Sequence, residues 1–165
     1  MIRSWYGASL RYLDDRLHAF LDWFERVGLD ENTVVVLTSD HGELFGEHEL
    51  LYHRNFLYDE LTKVPLVLAG PGIPSGERRP DLASHIDLFA TLCDVCGLDA
   101  PSTAGSSLFE SGERDAVFTA EAPSSLADEP AAEEVSAETL GAFECGRKSI
   151  RTEDYRFERR SDGTE

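Results

Sequence analysis

The sequence is poor in lysine and in basic residues as a whole. Lys63 and Lys148 are its two lysines, the other thirteen basic residues are arginines, and 32 acidic residues bring the net charge to −17. Binding to nucleic acid or to an anionic membrane needs a surplus of Lys and Arg, so this balance argues against both partners. Many carboxylates with almost no lysine indicate adaptation to high salt, where screening weakens self-repulsion. An ordinary acidic protein with acid-rich loops is the alternative.

Cysteines and long apolar runs are scarce as well. The three cysteines, Cys93, Cys96 and Cys145, are an odd number without a disulfide framework. The C-x-x-C spacing at 93–96 lies in an apolar periodic run, so we interpret it as small buried side chains on a helix. No apolar run approaches the length of a membrane span, and the first residues lack the apolar region of a signal peptide. We therefore expect a cytoplasmic protein.

The apolar content of 41% in 165 residues permits a real core. Apolar residues recur at helical steps over residues 4–28, which predicts an amphipathic helix. The continuous apolar run at 33–38 predicts a strand buried on both faces, as in a parallel sheet, and 64–69 predicts a second one. A further helix is predicted over 84–96. Its apolar face would consist of Ile86, Phe89, Leu92 and Cys96.

The second half of the sequence changes character. A strand is predicted at 115–120, and the run of Ala, Glu, Ser and Pro at 123–140 predicts a solvated acidic loop or insertion. Two strand-like runs within 147–160 predict a hairpin, and a turn signal follows with nothing after it. We therefore divide the chain into an α/β part (1–122), the acidic loop, and a truncated C-terminal hairpin (141–165).

The strongest chemical signal is the block that follows the first predicted strand. Asp40 and His41 stand side by side there, and Gly42 lets the chain turn away. In open α/β sheets, ligands bind just beyond the carboxyl ends of strands. Carboxylate oxygen and imidazole nitrogen are both good ligands for divalent metals. A helix-capping Asp beside a surface His is the alternative interpretation of such a short motif.

The order of several blocks is similar to that of a known family. The chain contains TVVVLTSDHGELFGEH, then His53, then LYDELTKVPLVLAGPGIP and SHIDLFATLCDVCGL, and it ends in SIRTEDYRFERRSDGTE. This order resembles the C-terminal part of the sulfatase catalytic domain, in the alkaline phosphatase superfamily. The resemblance implies an α/β fold, with a partial doubly wound alkaline-phosphatase-like sheet sandwiched by helices and a C-terminal β-hairpin. Between 44 and 59 we expect a loop leading into a short helix near 56–61.

The resemblance also implies roles for three residues. Asp40 matches the carboxylate metal ligand of the family, and His41 occupies the neighbouring position, which holds Asn or His at the metal. His53 matches a downstream His or Lys that contacts the sulfate oxygens. There it would stabilise developing charge or protonate the leaving oxygen. The implied cofactor is a divalent metal, Ca²⁺ first, with Mg²⁺ or Mn²⁺ as alternatives, and the implied substrate is a sulfate ester. The role of His48 stays open.

One part of the family pattern is missing. Sulfatases use a formylglycine nucleophile made from Cys or Ser in a C/S-x-P/A-x-R motif. None of the three cysteines begins this motif, and the near matches at Ser102 and Ser125 lack the final Arg. The strand with paired acidic metal ligands is absent too, so Asp40 and His41 would form half of a site. We therefore expect a fragment that has no sulfatase activity alone, and that a separate N-terminal half of the domain would complete.

Two other functions remain open at this point. A phosphodiesterase or phosphonate-ester hydrolase of the same superfamily would differ in its nucleophile and in the residues around the anion. A non-catalytic remnant or interaction module belongs to another class. In that reading, the open sheet edge left by two buried strands would favour association.

Overall fold

The computed structural model describes residues 2–53, 56–110, 114–123, 141 and 144–164. The chain divides into two compact units. Unit 1 comprises Met1–Tyr52 and Lys63–Glu77, and unit 2 comprises His53–Thr62 and Arg78–Glu165. Unit 1 contains α1 (Ile2–Arg26), β1 (Val35–Thr38), β2 (Leu44–Phe45), β3 (Leu51–Tyr52) and β4 (Leu66–Ala69). Unit 2 contains α2 (Asp59–Thr62), α3 (Asp87–Val95), β5 (Val117–Glu121), β6 (Arg147–Arg151) and β7 (Arg156–Arg160).

The predicted first helix is confirmed as α1. It ends where Gly28 takes a positive φ of 75°, and Leu29 N–H then donates to the Phe24 carbonyl at 3.2 Å. This left-handed glycine is a common way to terminate a helix. Of the apolar stripe, Phe24 is buried, whereas Leu13 is 59% exposed and Trp5 is 73% exposed. Within the described residues, no helix combines the length and the apolar content needed to cross a membrane.

β1 and β4 correspond to the two predicted strands, but they pair antiparallel, with Val35 opposite Ala69. The prediction of a parallel sheet is therefore wrong for this pair. The prediction of strands buried on both faces is also wrong, since Leu37 of β1 is 43% exposed. A continuous apolar run indicates hydrophobicity, and it carries no information on the direction of the neighbouring strand. A Cβ at Gly70, just after β4, would meet the Thr33 carbonyl oxygen at 2.5 Å, so the close return of the chain requires glycine.

A short hairpin lies in the segment for which we expected a loop. β2 pairs with β3, with Leu44 opposite Tyr52. The turn between them contains Gly46, His48 and Glu49, all with positive φ. Strands of two residues leave no alternation in the sequence, which explains why the hairpin was not predicted. The short helix expected near 56–61 is present as α2, displaced by a few residues.

Unit 2 contains a three-stranded antiparallel sheet in the order β5-β6-β7. The predicted C-terminal hairpin is confirmed by β6 and β7, with Arg147 opposite Arg160. The strand predicted at 115–120 is β5, which pairs with β6. Apart from Pro123, the predicted acidic loop at 123–140 lies outside the described residues. The division of the chain at 122 and 140 therefore stays a prediction.

α3 is confirmed within the predicted 84–96, but the apolar face predicted for it is not the buried one. The buried residues are Asp87, Ala90, Thr91 and Cys93. The apolar residues of the predicted face are instead exposed: Ile86 by 50%, Phe89 by 52% and Leu92 by 37%. Of the two cysteines interpreted as buried, Cys93 is buried and Cys96 is exposed.

Polar contacts explain this orientation of α3. Asp87 accepts hydrogen bonds from the backbone N–H of Ser84 at 2.8 Å and of Ser106 at 3.1 Å, and it pairs with Arg114. The Thr91 hydroxyl oxygen accepts the N–H of Leu108 at 3.0 Å. These partners all approach one side of the helix. A polar anchor of this kind overrides the apolar periodicity, because a buried carboxylate without partners costs several kcal/mol.

Candidate functional site

The end of β1 turns sharply, and side-chain hydrogen bonds hold the turn. The Ser39 hydroxyl donates to the His41 carbonyl at 2.6 Å, and the His41 backbone N–H donates to Asp40 Oδ1 at 2.9 Å. The last strand residue, Thr38, donates its hydroxyl to the Pro65 carbonyl at 2.9 Å, which ties β1 to the start of β4. The predicted pair Asp40 and His41 therefore stands at the carboxyl end of a strand that is anchored on one side.

Asp40 presents an ionised carboxylate to solvent. Its side chain is 85% exposed. The backbone N–H of His41 donates to this carboxylate and holds the pKa of Asp40 below its ordinary value. Hydrogen bonding to the charged form favours ionisation, so Asp40 is a carboxylate across the physiological pH range. A ligand of this kind suits a hard divalent cation.

The His41 ring is held in one tautomer by its own neighbour. Its Nδ1 lies 2.8 Å from the Gly42 carbonyl oxygen. Because a carbonyl oxygen can only accept, Nδ1 carries the proton and the lone pair of the neutral ring is on Nε2. That Nε2 lies 3.7 Å from Asp40 Oδ2. Metal-binding histidines commonly donate the other ring N–H to a carbonyl or carboxylate in this way.

A further carboxylate, Glu43, lies close to this pair and was not singled out in the sequence. A ring nitrogen of His41 and a carboxylate oxygen of Glu43 lie within 4.8 Å of each other. The sequence could have indicated this proximity, because His41 and Glu43 are two positions apart and alternate residues of an extended chain point to the same side. Unit 1 thus brings His41 close to two carboxylates, one on each side in sequence.

Two other histidines, His53 and His48, were singled out in the sequence. His53 belongs to unit 2, whereas Asp40 and His41 belong to unit 1, so its catalytic role stays a prediction. His48 lies in the turn between β2 and β3 with φ of 55°, and it is exposed. His48 is therefore part of the hairpin turn, and its functional role stays open.

An apolar groove in unit 1 reaches the same end of β1. Its volume is about 840 Å³. Leucines of α1 form one wall, and Leu37, Val64 and Pro65 lie opposite. Ser39, His41 and Gly42 also line it, so the candidate ligand His41 stands where apolar and polar surfaces meet. Pockets that bind small molecules combine such apolar walls with a few polar groups.

The donor chemistry of this site fits a divalent metal ion. Asp40 supplies an ionised oxygen, His41 supplies Nε2 in the tautomer that can coordinate, and Glu43 supplies a second carboxylate nearby. The carboxylate oxygens suit Ca²⁺, Mg²⁺ and Mn²⁺, whereas the imidazole nitrogen is a ligand that transition metals accept as well.

Comparison with known proteins gives consistent matches. The sequence model of the family described as Sulfatase matches residues 2–98. Arylsulfatase K from Bos taurus is 34% identical over 111 residues, which are 67% of this chain and 20% of that protein. Choline-sulfatase from Rhizobium meliloti (strain 1021) is 34% identical over 110 residues, 64% of this chain and 21% of that protein. The chain thus spans about a fifth of the length of these relatives.

Two solved structures resemble the chain in fold. A protein of Bacteroides thetaiotaomicron assigned to the sulfatases gives a TM-score of 0.57 at 25% identity, covering 80% of this chain and 28% of that one. The phosphonate monoester hydrolase from Silicibacter pomeroyi gives a TM-score of 0.63 at 22% identity, covering 91% and 33%. The second likeness concerns the fold alone. Together they confirm the predicted α/β class, a partial alkaline-phosphatase-like fold that includes the C-terminal hairpin.

Proposed function

This chain belongs to the sulfatase family, and on that premise we propose that it forms the metal-binding part of a hydrolase of sulfate esters. The observation that carries the proposal is the arrangement at the end of β1. There Asp40 is held ionised, and the Gly42 carbonyl fixes the His41 ring with its lone pair on Nε2. Both residues fall inside the segment that matches the family. Together they supply a carboxylate oxygen and an imidazole nitrogen, both of which can ligate a divalent metal.

In this proposal Asp40 and His41 hold the metal, with Ca²⁺ as the first choice and Mg²⁺ or Mn²⁺ as alternatives. A bound divalent ion supplies Lewis-acid polarisation of the ester oxygens. The Gly42 carbonyl keeps the proton on His41 Nδ1, and the N–H of His41 keeps Asp40 charged. We assign His53 the hydrogen bond to a sulfate oxygen or the proton for the leaving oxygen.

We further propose that residues 1–165 do not hydrolyse sulfate esters alone. The support is the sequence, in which no Cys or Ser begins a C/S-x-P/A-x-R motif. Covalent catalysis in this family needs the nucleophile made from that motif. A separate polypeptide that carries the motif would complete the site.

Metal titration tests the metal-binding part of the proposal. Isothermal titration calorimetry with Ca²⁺, Mg²⁺ and Mn²⁺ compares the chain with its Asp40→Asn and His41→Ala variants. We expect each variant to bind at least about tenfold more weakly, because each loses a ligand. The control is His18→Ala, a histidine 79% exposed on α1 and paired with Asp22 at 3.7 Å. Equal affinity in all four proteins would overturn the proposed site.

An assay with chromogenic esters tests the remainder. The purified chain is incubated with each metal and either an aryl sulfate or an aryl phosphonate monoester. We expect release of the phenol from neither substrate. Metal-dependent hydrolysis of the sulfate would show that the chain needs no partner for its nucleophile. Hydrolysis of the phosphonate alone would instead favour the phosphonate-ester hydrolase.

A further inference from the structure

We propose that Glu43 is a third donor to the metal ion held by Asp40 and His41, an inference that rests on the proposed function. The first observation is proximity. The ligand atoms of His41 and Glu43 lie within 4.8 Å of each other, while His41 Nε2 lies 3.7 Å from Asp40 Oδ2. Metal–oxygen bonds of about 2.3–2.6 Å permit ligand atoms to stand up to about 5 Å apart across one ion. Each carboxylate is therefore close enough to a ring nitrogen of His41 for the two to share an ion.

The second observation is that the chain directly after Glu43 is fixed. Leu44 is fully buried, with 0% exposure. The N–H of Phe45 donates to Glu47 Oε2 at 2.6 Å, and the same carboxylate pairs with Arg3 of α1. A backbone held by a buried side chain and a charged hydrogen bond leaves Glu43 little freedom to move away from His41. Preorganised ligands of this kind lose less entropy when an ion binds.

The helix α1 strengthens this support through aromatic contacts. The rings of Tyr6 and Phe45 meet edge to face with centroids 4.8 Å apart, and the Arg3 guanidinium lies 6.0 Å from the Phe45 ring centroid. Glu47 itself stays ionised, because the N–H of Phe45 and the nearby Arg3 lower its pKa. The hairpin that begins one residue after Glu43 is thus tied to α1.

The chemistry of a third donor is consistent with a hard cation. Glu43 would add a second carboxylate to the donors that this chain supplies. Hard cations such as Ca²⁺ and Mn²⁺ gain affinity with each added charged oxygen ligand. Glu43 would also narrow the choice of metal, since carboxylate-rich sites disfavour soft ions.

A different role for Glu43 would be to orient the His41 ring without touching the ion. Loss of such a group also costs about 10–100-fold in metal affinity, so affinity alone cannot separate the two roles. The measurement must therefore detect direct coordination.

Pulsed EPR of bound Mn²⁺ makes that distinction. The chain is produced with ¹³C at the carboxylate carbon of every glutamate, a label that leaves Asp40 unlabelled. A glutamate that coordinates Mn²⁺ gives a resolved ¹³C hyperfine coupling, and an orienting glutamate gives none. The comparison variants are Glu43→Gln and, as matched control, Glu31→Gln, an exposed residue of the turn Asp30–Asn32.

We expect a ¹³C coupling in the parent chain that is lost in Glu43→Gln and kept in Glu31→Gln. The dissociation constant for Mn²⁺ should rise at least about tenfold in Glu43→Gln alone. Bound Mn²⁺ without ¹³C coupling, or a coupling that survives in Glu43→Gln, overturns the inference and leaves the Asp40–His41 site intact. Mn²⁺ binding that is indifferent to Asp40→Asn and His41→Ala means that the proposed function has failed instead. A parent-chain spectrum without ¹³C coupling overturns the inference even where a variant folds poorly.

Discussion

The two units differ in what their buried positions contain. Among the described residues, the buried side chains of unit 1 are apolar, namely Phe24 and Leu44. Unit 2 buries Leu57, Leu61, Ala90 and Cys93, but it also buries five polar or charged side chains. These are Asp87, Thr91, Ser107, Arg147 and Ser149.

The polar anchors of unit 2 are paired with partners of opposite charge or with hydrogen-bond donors. Arg147 lies 4.3 Å from the Phe56 ring centroid, and its guanidinium contacts Glu158 at 2.8 Å. Arg151 pairs with Asp59. Such contacts have direction, so they fix which loop meets which strand as well as adding stability.

Unit 1 buries few side chains and leaves large apolar residues exposed. It carries the candidate metal site, but it leaves much of α1 exposed, including Trp5 and Leu13, and Val67 of β4 is 53% exposed. Burial of apolar area is the main stabilising contribution to folding, so a unit with few buried apolar residues has a small free energy of unfolding. The stability of the candidate site therefore depends on a small number of buried side chains, of which Leu44 is the most completely buried.

The largest expected effect follows from Leu44. Leu44→Ala removes the fully buried side chain beside Glu43 and should lower the free energy of unfolding of unit 1 by about 3 kcal/mol, from lost transfer energy and the cavity left behind. Both tryptophans lie on α1, so urea denaturation followed by tryptophan fluorescence reports on unit 1.

The matched control is Leu13→Ala, at a leucine 59% exposed on α1. It should change the free energy of unfolding by no more than about 0.5 kcal/mol, as surface substitutions do. If the two variants shift the urea midpoint equally, the core of unit 1 does not depend on Leu44.

A smaller loss is expected for the polar anchor of unit 2. Asp87→Asn removes the charge that faces Arg114 and disturbs the acceptor for the N–H groups of Ser84 and Ser106. The expected destabilisation is about 2 kcal/mol, less than for a fully buried pair because Arg114 is 23% exposed. Amide hydrogen exchange of Ser84 and Ser106 should quicken accordingly.

The control for this variant is Asp99→Asn, an exposed carboxylate just beyond α3. Its amide exchange rates should match those of the parent chain. An Asp87→Asn protein that exchanges like the control would show that the apolar residues of unit 2, and not this carboxylate, hold the loops.

The smallest effect concerns pH and the turn after β7. Hydrogen bonds donated by the Thr164 hydroxyl and N–H lower the pKa of Asp162 from 3.8 to about 2. A depressed pKa means that the stabilising contribution is complete above about pH 3.8 and is lost as the pH falls through about 2. NMR titration of the Asp162 carboxyl should give a midpoint near 2.

Thr164→Val should move that midpoint upward, because the hydrogen bond from the Thr164 hydroxyl to Asp162 Oδ1 is lost. Thr103→Val, at an exposed threonine elsewhere in unit 2, should leave it unchanged. A midpoint that stays at about 2 in Thr164→Val would place the cause of the shift elsewhere.

The sequence was sufficient for elements whose signal lies within one segment. The helical repeat of leucines predicts α1, and the alternating run at 147–160 predicts β6 and β7. The Asp40–His41 pair was also found, because adjacent residues after a strand must emerge at the strand end. Adjacent and near-adjacent positions carry this information because backbone geometry fixes their relative direction.

Features that depend on distant partners could not be predicted. The buried face of α3 is determined by Arg114 and by the N–H groups of Ser106 and Leu108. These groups lie 17 to 27 residues after the helix residues that they contact. The hairpin of β2 and β3 depends on Glu47, which accepts the N–H of Phe45 and pairs with Arg3. Neither set of contacts leaves a periodic trace in the sequence.

By itself, the sequence determined the charge of the chain, the positions of most helices and strands, and the placement of Asp40 and His41 at a strand end. Tertiary structure alone decided the antiparallel pairing of β1 with β4 and the buried face of α3. The physical reason is the range of the interactions. Local periodicity and backbone geometry act within a few residues, whereas burial and hydrogen-bond partners are settled only when distant segments meet.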